Sequence, residues 1–292
     1  MKHKSGFVNI LGNPNVGKST IMNALIGERL SIITPKAQTT RHRILGILNG
    51  DDYQIVYSDT PGILKPMYKL HESMMGYVNS ALSDADIIIY VTDVTEKADP
   101  DGDYLMKIRN KGLPVIIVIN KIDLTNQEEL EKLVGTWHEA FKESDIIPVS
   151  AIKNYNLDYL LKSILSRLPE GEPYFPKDQL TDRYERFFAS EIIREKILLN
   201  YQKEIPYSVE IEIESFVDEP GRSNIRAIIH VARDSQKGII IGHRGQMLKK
   251  VGTESRLELE EFLGRKVFLE LHVKVNKDWR NKSLALKRFG YS

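Results

Sequence analysis

Continuous apolar stretches bounded by turn residues dominate the first half of the chain: Phe7-Val8-Asn9-Ile10-Leu11, Ile87-Ile88-Ile89-Tyr90-Val91 and Val115-Ile116-Ile117-Val118-Ile119. Unbroken rather than alternating runs are what strands covered on both faces require, as in a parallel sheet flanked by helices. Further strands are predicted at Ile44-Leu45-Gly46-Ile47-Leu48, Gln54-Ile55-Val56-Tyr57 and Ile146-Ile147-Pro148-Val149, with a helix starting at Thr20-Ile21-Met22-Asn23-Ala24-Leu25-Ile26. Leu157, Leu160, Leu161, Ile164, Leu165 and Leu168 fall at helical spacing and form the last helix of this half. The pattern is that of an α/β domain with a mostly parallel sheet.

Beyond about Arg183 the period changes. Phe188, Ile192, Ile193, Lys196 and Leu199 predict an amphipathic helix from about Arg183 to Gln202. Ser208-Val209-Glu210-Ile211-Glu212-Ile213-Glu214 alternates strictly, as a half-exposed strand does, and Ile225-Arg226-Ala227-Ile228-Ile229-His230-Val231 reads as a second strand. A helical pair is expected to flank Gly252, with Leu257, Leu259, Phe262 and Leu263 on its second member; Val267, Leu269, Leu271, Val273 and Val275 alternate as a final strand. Between the halves, Pro169-Glu170-Gly171-Glu172-Pro173-Tyr174-Phe175-Pro176 predicts a semi-stiff linker. The expected organisation is therefore a domain over 1–172, a linker over 173–182 and an α+β unit over 183–292.

Length near three hundred residues suits two domains, and the charged and apolar fractions are those of an ordinary globular chain. The chain has no cysteine, which excludes disulfides and thiolate metal sites and fits a cytoplasmic protein. Met1-Lys2-His3-Lys4-Ser5-Gly6 runs straight into the first strand, leaving no room for a signal peptide, and no apolar run approaches the ~20 residues of a membrane span. The net charge of +1 hides an asymmetry: from Arg233 onward there are 14 Lys and Arg against 7 Asp and Glu. That local excess points to an anionic partner for the C-terminal part.

Gly12-Asn13-Pro14-Asn15-Val16-Gly17-Lys18-Ser19, continued by Thr20, has the strand–glycine loop–helix context of a phosphate-binding loop. Gly12 and Gly17 let successive N–H groups turn inward onto a β-phosphate; Lys18 reaches the β and γ oxygens, and Ser19 offers a hydroxyl to Mg²⁺. Asn120-Lys121-Ile122-Asp123 then says which base is bound. The Asp123 carboxylate matches the two parallel donors of guanine, which adenine lacks. Asn120 can bond N7 and brace the phosphate loop, while the Lys121 stem lies along the ring. In order between and after these lie Gln38-Thr39-Thr40-Arg41, where a threonine hydroxyl would complete the Mg²⁺ shell with GTP (Thr40, by its resemblance to the residue before the Arg in similar proteins), and Asp59-Thr60-Pro61-Gly62. Asp59 would hold a Mg²⁺-bound water and Gly62 would sense the γ-phosphate. Ser150-Ala151-Ile152-Lys153 would contact guanine O6 through backbone N–H. The sequence thus implies a GTP- and GDP-binding, Mg²⁺-dependent GTPase and disfavours a P-loop kinase or ATPase.

Where many GTPases place a water-orienting glutamine, this chain has Ile63, which cannot hydrogen-bond a water. Unaided turnover is expected to be slow. In GTPases of similar sequence an Asn at the position of Asn15 helps bind K⁺ beside the phosphates, so K⁺-stimulated hydrolysis is expected.

In the second half, Ile239-Ile240-Ile241-Gly242-His243-Arg244-Gly245 is followed by Gln246-Met247-Leu248-Lys249-Lys250. The two glycines join two helices after an apolar run and enclose two basic residues, the arrangement of a KH loop that clamps about four nucleotides of single-stranded backbone. Gly242 and Gly245 permit close phosphate approach, His243 and Arg244 supply charge, and Lys237, Lys249 and Lys250 lie nearby without a sequence basis for ranking them. The order helix–strand–strand–helix–helix–strand is that of a type-2 KH domain.

On these residues, from Phe7-Val8-Asn9-Ile10-Leu11-Gly12 through Gln38-Thr39-Thr40-Arg41-His42-Arg43 to Lys277-Asp278-Trp279-Arg280 and Phe289-Gly290-Tyr291, the chain resembles the Era family of bacterial GTPases over essentially its whole length. The resemblance implies an α/β P-loop GTPase domain followed by a KH type-2 domain. It also implies binding to the 30S subunit and to the 3′ end of 16S rRNA during ribosome assembly, as a monomer without DNA binding, and peripheral association with the inner membrane. The chain departs from the family in having His243 and Arg244 where a Lys is usual between the glycines; the charge is kept. Two other readings stand beside this one: a constitutive RNA-binding scaffold with structural nucleotide, and a regulatory GTPase of the membrane surface.

Overall fold

A computed structural model of the chain describes residues 3–291. Two compact units divide it, the first comprising residues up to Ser31, Thr40–Lys65 and Met74–Asp182, the second Ile32–Thr39, Pro66–Ser73 and the chain from Arg183 onward.

The first unit contains, in order, β1 (Lys4–Gly12), α1 (Lys18–Ile26), β2 (Ile44–Asn49), β3 (Tyr53–Asp59), α2 (Lys69–Asp84, its first turn counted in the second unit), β4 (Ile87–Asp93), α3 (Asp103–Arg109), β5 (Val115–Asn120), α4 (Gln127–Ala140), β6 (Asp145–Pro148) and α5 (Leu157–Arg167). The sheet order is β2-β3-β1-β4-β5-β6. Only β2 runs antiparallel to its neighbour. Every residue of β4 and β5 is buried, which explains their uninterrupted apolar sequence. Leu11, Ile88, Ile117 and Ile119 meet Val78, Trp137 and Phe141 in one core layer. The phosphate loop, Asp59–Gly62, Asn120–Asp123 and Ser150–Lys153 follow the carboxyl ends of β1, β3, β5 and β6, where open α/β sheets bind ligands, while Gln38–Arg41 precedes the antiparallel β2.

The proline-rich stretch does not tether freely. The Ser5 N–H donates to Pro169 O (3.0 Å), Gln54 exchanges two hydrogen bonds with the Phe175 backbone (2.8 and 2.9 Å), and Ile47 N–H donates to Leu180 O (2.8 Å). Strand β2 is a sheet edge with unpaired backbone groups; the segment 173–182, expected as a linker, covers that edge and belongs to the first unit.

The second unit contains α6 (Glu185–Asn200), α7 (Ile205–Ser208), β7 (Glu210–Glu219), β8 (Arg222–Val231), α8 (Asp234–Ile241), α9 (Gln246–Leu263), β9 (Lys266–Val275) and α10 (Ser283–Arg288). Its sheet is β7-β8-β9, with β7 antiparallel and β9 parallel to β8. Ile193, Ile197, Ile211, Ile225, Ile229, Val251 and Leu259 form the core between sheet and helices. The strict alternation of β7 breaks at a bulge between Ile213 and Ser215. The helical pair expected around Gly252 is instead one continuous helix, α9; the break between helices is at Gly242–Gly245. A Cβ on Gly252 would meet the Leu271 side chain at 3.4 Å, an ordinary contact, so this glycine neither breaks the helix nor is demanded by its packing. The C-terminal motif is anchored by Trp279, whose indole N–H donates to Ser208 O (3.0 Å), and by Tyr291, whose hydroxyl donates to Glu210 (2.8 Å).

Candidate functional site: a nucleotide cradle and a glycine-bounded basic corner

Strand β1 ends at Gly12 with φ 148°, and Gly17, with φ 96°, caps α1. Neither tolerates a side chain: a Cβ would fall 2.2 Å from Val91 O at Gly12 and 2.2 Å from the Asn120 amide at Gly17. Between them Asn13, Pro14, Asn15 (φ 66°) and Val16 complete the wrap, and Ser19 and Thr20 enter the first turn of α1. Lys18 is buried with its ammonium on the carbonyls of Gly12 (3.2 Å) and Asn13 (2.8 Å). Burial lowers its pKa to about 8, against the opposing pull of Asp59 and Glu96. An anion in the cradle would restore the charge.

Asp59 is fully buried at the end of β3, and two hydroxyls converge on it. Ser19 Oγ donates to its Oδ2 at 2.6 Å, Thr40 Oγ1 lies 3.3 Å from the same oxygen, and the two hydroxyls are 2.9 Å apart. Burial pushes the Asp59 pKa up, with Ser19, Lys18 and Thr40 opposing. Its other oxygen, Oδ1, is buried without a hydrogen-bond partner. Two hydroxyls and a carboxylate with one unsatisfied oxygen make a hard-donor set that fits Mg²⁺. Among the described residues no group of three or more His, Cys, Asp or Glu side chains could hold a metal by itself, so such an ion would take its remaining ligands from phosphate and water.

Thr60 Oγ1 donates to Ile10 O (2.8 Å), Gly62 packs on Pro14 where a Cβ would meet it at 2.7 Å, and Ile63 N–H donates to Gly12 O (3.1 Å). With Pro61 these tie the loop after β3 to the phosphate loop. The Ile63 side chain packs against the apolar layer of Leu11 and Val78. An isoleucine side chain offers no donor or acceptor to a water.

At the far end of the cradle, Asn120 Nδ2 donates to Val16 O (2.9 Å) and its Oδ1 accepts Ala151 N–H (3.1 Å). One side chain thus joins the phosphate loop to the loop after β6. Ala151 N–H, expected to contact guanine O6, lies at this junction and donates to Asn120 Oδ1. Ser150 Oγ donates to Asp123 Oδ1 at 2.5 Å, fixing the carboxylate, and Ile152 is exposed beside it. Lys121 adopts a left-handed backbone (φ 61°) and its ammonium is ion-paired with Asp93.

Asp93 and Glu96 escape the sequence reading. Asp93 Oδ1 accepts Thr95 N–H (2.7 Å) and Thr95 Oγ1 (2.6 Å) while Oδ2 holds Lys121. Burial alone would raise its pKa, but Lys121 and Thr95 outweigh it and the net shift is downward. Glu96 accepts Asn13 Nδ2 (3.0 Å) and Thr92 Oγ1 (2.6 Å), steadying the phosphate loop from beneath. An acidic residue at the carboxyl end of a wholly buried strand was the available signal for Asp93.

In the second unit, the corner between α8 and α9 is built on Gly242 (φ 71°), Arg244 (φ 49°) and Gly245 (φ 77°). A Cβ on Gly242 would fall 2.7 Å from Met247, so the chain approaches α9 more closely than any other residue allows. His243, Arg244, Lys237, Lys249 and Lys250 are all exposed. Lys250 lies 3.8 Å from Glu254, a solvent-screened pair, and Ile239 is 48% exposed on α8.

Known proteins resemble this chain throughout. The 50S ribosome-binding GTPase family matches residues 7–121, and the KH domain family residues 204–280. GTPase Era of Alkaliphilus metalliredigens is 45% identical, with 100% of both chains covered. GTPase Era of Staphylococcus haemolyticus is 44% identical, over 99% of this chain and 98% of its own. The crystal structure of a point variant of Aquifex aeolicus Era bound to GDP and AlF4⁻ superposes with a TM-score of 0.95 at 43% identity, covering 99% of each chain. A crystal structure of Era in complex with MgGDPNP and nucleotides 1506–1542 of 16S ribosomal RNA matches with the same score, identity and coverage.

Proposed function

The chain belongs to the GTPase Era family, and from that premise we propose that it is a GTP-controlled RNA-binding protein of small-subunit ribosome assembly. Its KH unit grips the single-stranded 3′ end of 16S rRNA on the 30S subunit. The observation that carries this reading is the coexistence of a guanine-matched carboxylate, Asp123 held by Ser150, with the exposed basic corner at Gly242–Gly245. The MgGDPNP–rRNA complex formed by a relative of the same fold supports it.

In this reading Gly12–Thr20 cradle the phosphates, Lys18 neutralises the β and γ oxygens, and Asn120, Lys121, Asp123 and Ser150–Ile152 hold guanine. Mg²⁺, carried by Ser19, Thr40 and a water on Asp59, draws electron density from the γ-phosphate when bound. GTP orders the loops around Thr40 and Gly62, which favours the RNA-accessible state; hydrolysis releases it. Ile63 leaves water orientation to other groups. By reciprocity RNA must favour the GTP state by the factor through which GTP favours RNA. A fragment of the 16S 3′ end is therefore expected to bind about ten-fold more tightly with a non-hydrolysable GTP analogue than with GDP. Equal affinities would leave the scaffold reading in its place.

Asn15, in its left-handed turn, is assigned to a K⁺ that supplies the charge an arginine finger would otherwise bring. GTP hydrolysis should run about ten-fold faster in K⁺ than in Na⁺, and Asn15→Ala should abolish the difference; equal rates in the two buffers for the unaltered protein refute it. The protein is taken as a cytoplasmic monomer that does not bind DNA. Among the described residues no helix is long and apolar enough to cross a membrane, so any inner-membrane contact is peripheral. Sedimentation with lipid vesicles in the absence of RNA would favour the membrane-surface reading instead.

A further inference from the structure

Helix α6 carries three charged side chains almost without exposure, Glu191, Arg194 and Glu195. At i, i+3 and i+4 they share one face. Buried charges persist only when paired and hydrogen-bonded. Glu191 satisfies Arg194 through Nε (2.8 Å) and Nη2 (2.5 Å). Arg194 makes one bond more than that pairing needs: Nη2 also donates to the main-chain carbonyl of Thr39. Glu195 Oε1 accepts Ile33 N–H (3.2 Å), and the Tyr201 carbonyl at the end of the helix accepts Lys36 Nζ (2.6 Å). Three hydrogen bonds therefore fasten Ile32–Thr39, a segment of the same compact unit, to α6 and the residue that follows it. Within the segment Thr39 Oγ1 bonds Lys36 O (2.6 Å) and Thr34 Oγ1 (2.7 Å), so it holds its own shape.

One peptide bond separates Thr39 from Thr40, whose hydroxyl meets Ser19 and Asp59. A carbonyl held at Thr39 fixes the plane of that peptide and with it the nitrogen and Cα of Thr40, which narrows where the hydroxyl can go. We propose that Arg194 is a positioning residue for the magnesium threonine: the RNA-binding unit, through α6, sets how well Thr40 completes the Mg²⁺ shell of bound GTP. This rests on the reading of Thr40 as a ligand in the GTP state alone. A purely structural arginine would need only Glu191. Lysine at 194 keeps the charge beside Glu191 but lacks the planar fork that serves a carboxylate and a carbonyl together.

The test is the Mg²⁺ concentration for half-maximal binding of β,γ-imido-GTP and, separately, of GDP, on the full chain. Thr40→Ala reports on the underlying reading and should raise the requirement for the analogue while leaving GDP unmoved. Arg194→Lys should raise it about five- to ten-fold, again with GDP unmoved, the effect of one charge-assisted hydrogen bond. Lys36→Met, on a half-exposed side chain, should raise it about two- to three-fold by the loss of a single anchor. If Thr40→Ala shifts the analogue curve and a folded Arg194→Lys does not, the proposal is overturned. If Thr40→Ala shifts nothing, the metal role of Thr40 is wrong and the proposal falls with it. Should Arg194→Lys fail to fold, Lys36→Met decides, and an unchanged requirement overturns the proposal.

Discussion

Asp123→Asn is expected to weaken GTP binding about 10⁴-fold and to move the preference to xanthosine triphosphate. Guanine presents a ring N–H and an exocyclic amine side by side, and only an acceptor pair satisfies both. Asparagine puts an amide N–H against the amine, leaving two buried donors facing each other. Xanthine has a carbonyl where guanine has the amine, so the same amide then finds an acceptor. Ser150 is compatible with the change, since its hydroxyl, which donates to Asp123 Oδ1 at 2.5 Å, can instead accept from the new amide. The fold should be unaffected, because the other braces of the site, Asn120 to Val16 and Ala151 and Lys121 to Asp93, do not involve Asp123. Competition binding with the two triphosphates measures it; unchanged preference would refute the assignment of Asp123 to the base.

The double change His243→Asp and Arg244→Asp should lower affinity for the 16S 3′ end about 100-fold at ~0.1 M salt, with GTP binding and thermal stability unchanged. Both side chains are exposed, so no core contact is lost. Arg244 sits at φ 49°, a conformation that Asp tolerates better than most residues. Two carboxylates would stand where phosphates must approach, reversing the sign of the corner. The glycines themselves are poorer test sites, because any side chain on Gly242 collides with Met247 and would disturb α9 as well as the RNA. Fluorescence anisotropy with a labelled RNA fragment suffices; retained affinity would move the RNA interface elsewhere on the unit.

Much of the fold could be read from the chain. Buried strands β4 and β5 announce themselves because a parallel sheet covered on both faces calls for apolar residues along the body of each strand, with polar ones (Thr92, Asp93, Asn120) entering only at the carboxyl end. The helix–strand–strand–helix–helix–strand order of the second unit was legible in its change of period. Gly252 misled, because a glycine inside a helical pattern carries the same local signal as a break, whereas the actual break lies at the positive-φ glycines Gly242 and Gly245. The proline-rich stretch misled for a related reason. Its composition is that of a linker, and nothing local tells that Gln54 and Ile47 will take its carbonyls.

The chain alone decided the phosphate loop, the Asn120–Asp123 run and the glycine corner, because each is a run of neighbouring residues whose chemistry depends on backbone turns a few residues long. Tertiary structure decided what braces them: Asn120 spans 104 residues to Val16, Lys121 reaches back to Asp93, and Arg194 reaches Thr39 across 155. Contacts at such separations have no period and no local composition, so they exist only once the strands have paired and the helices have packed.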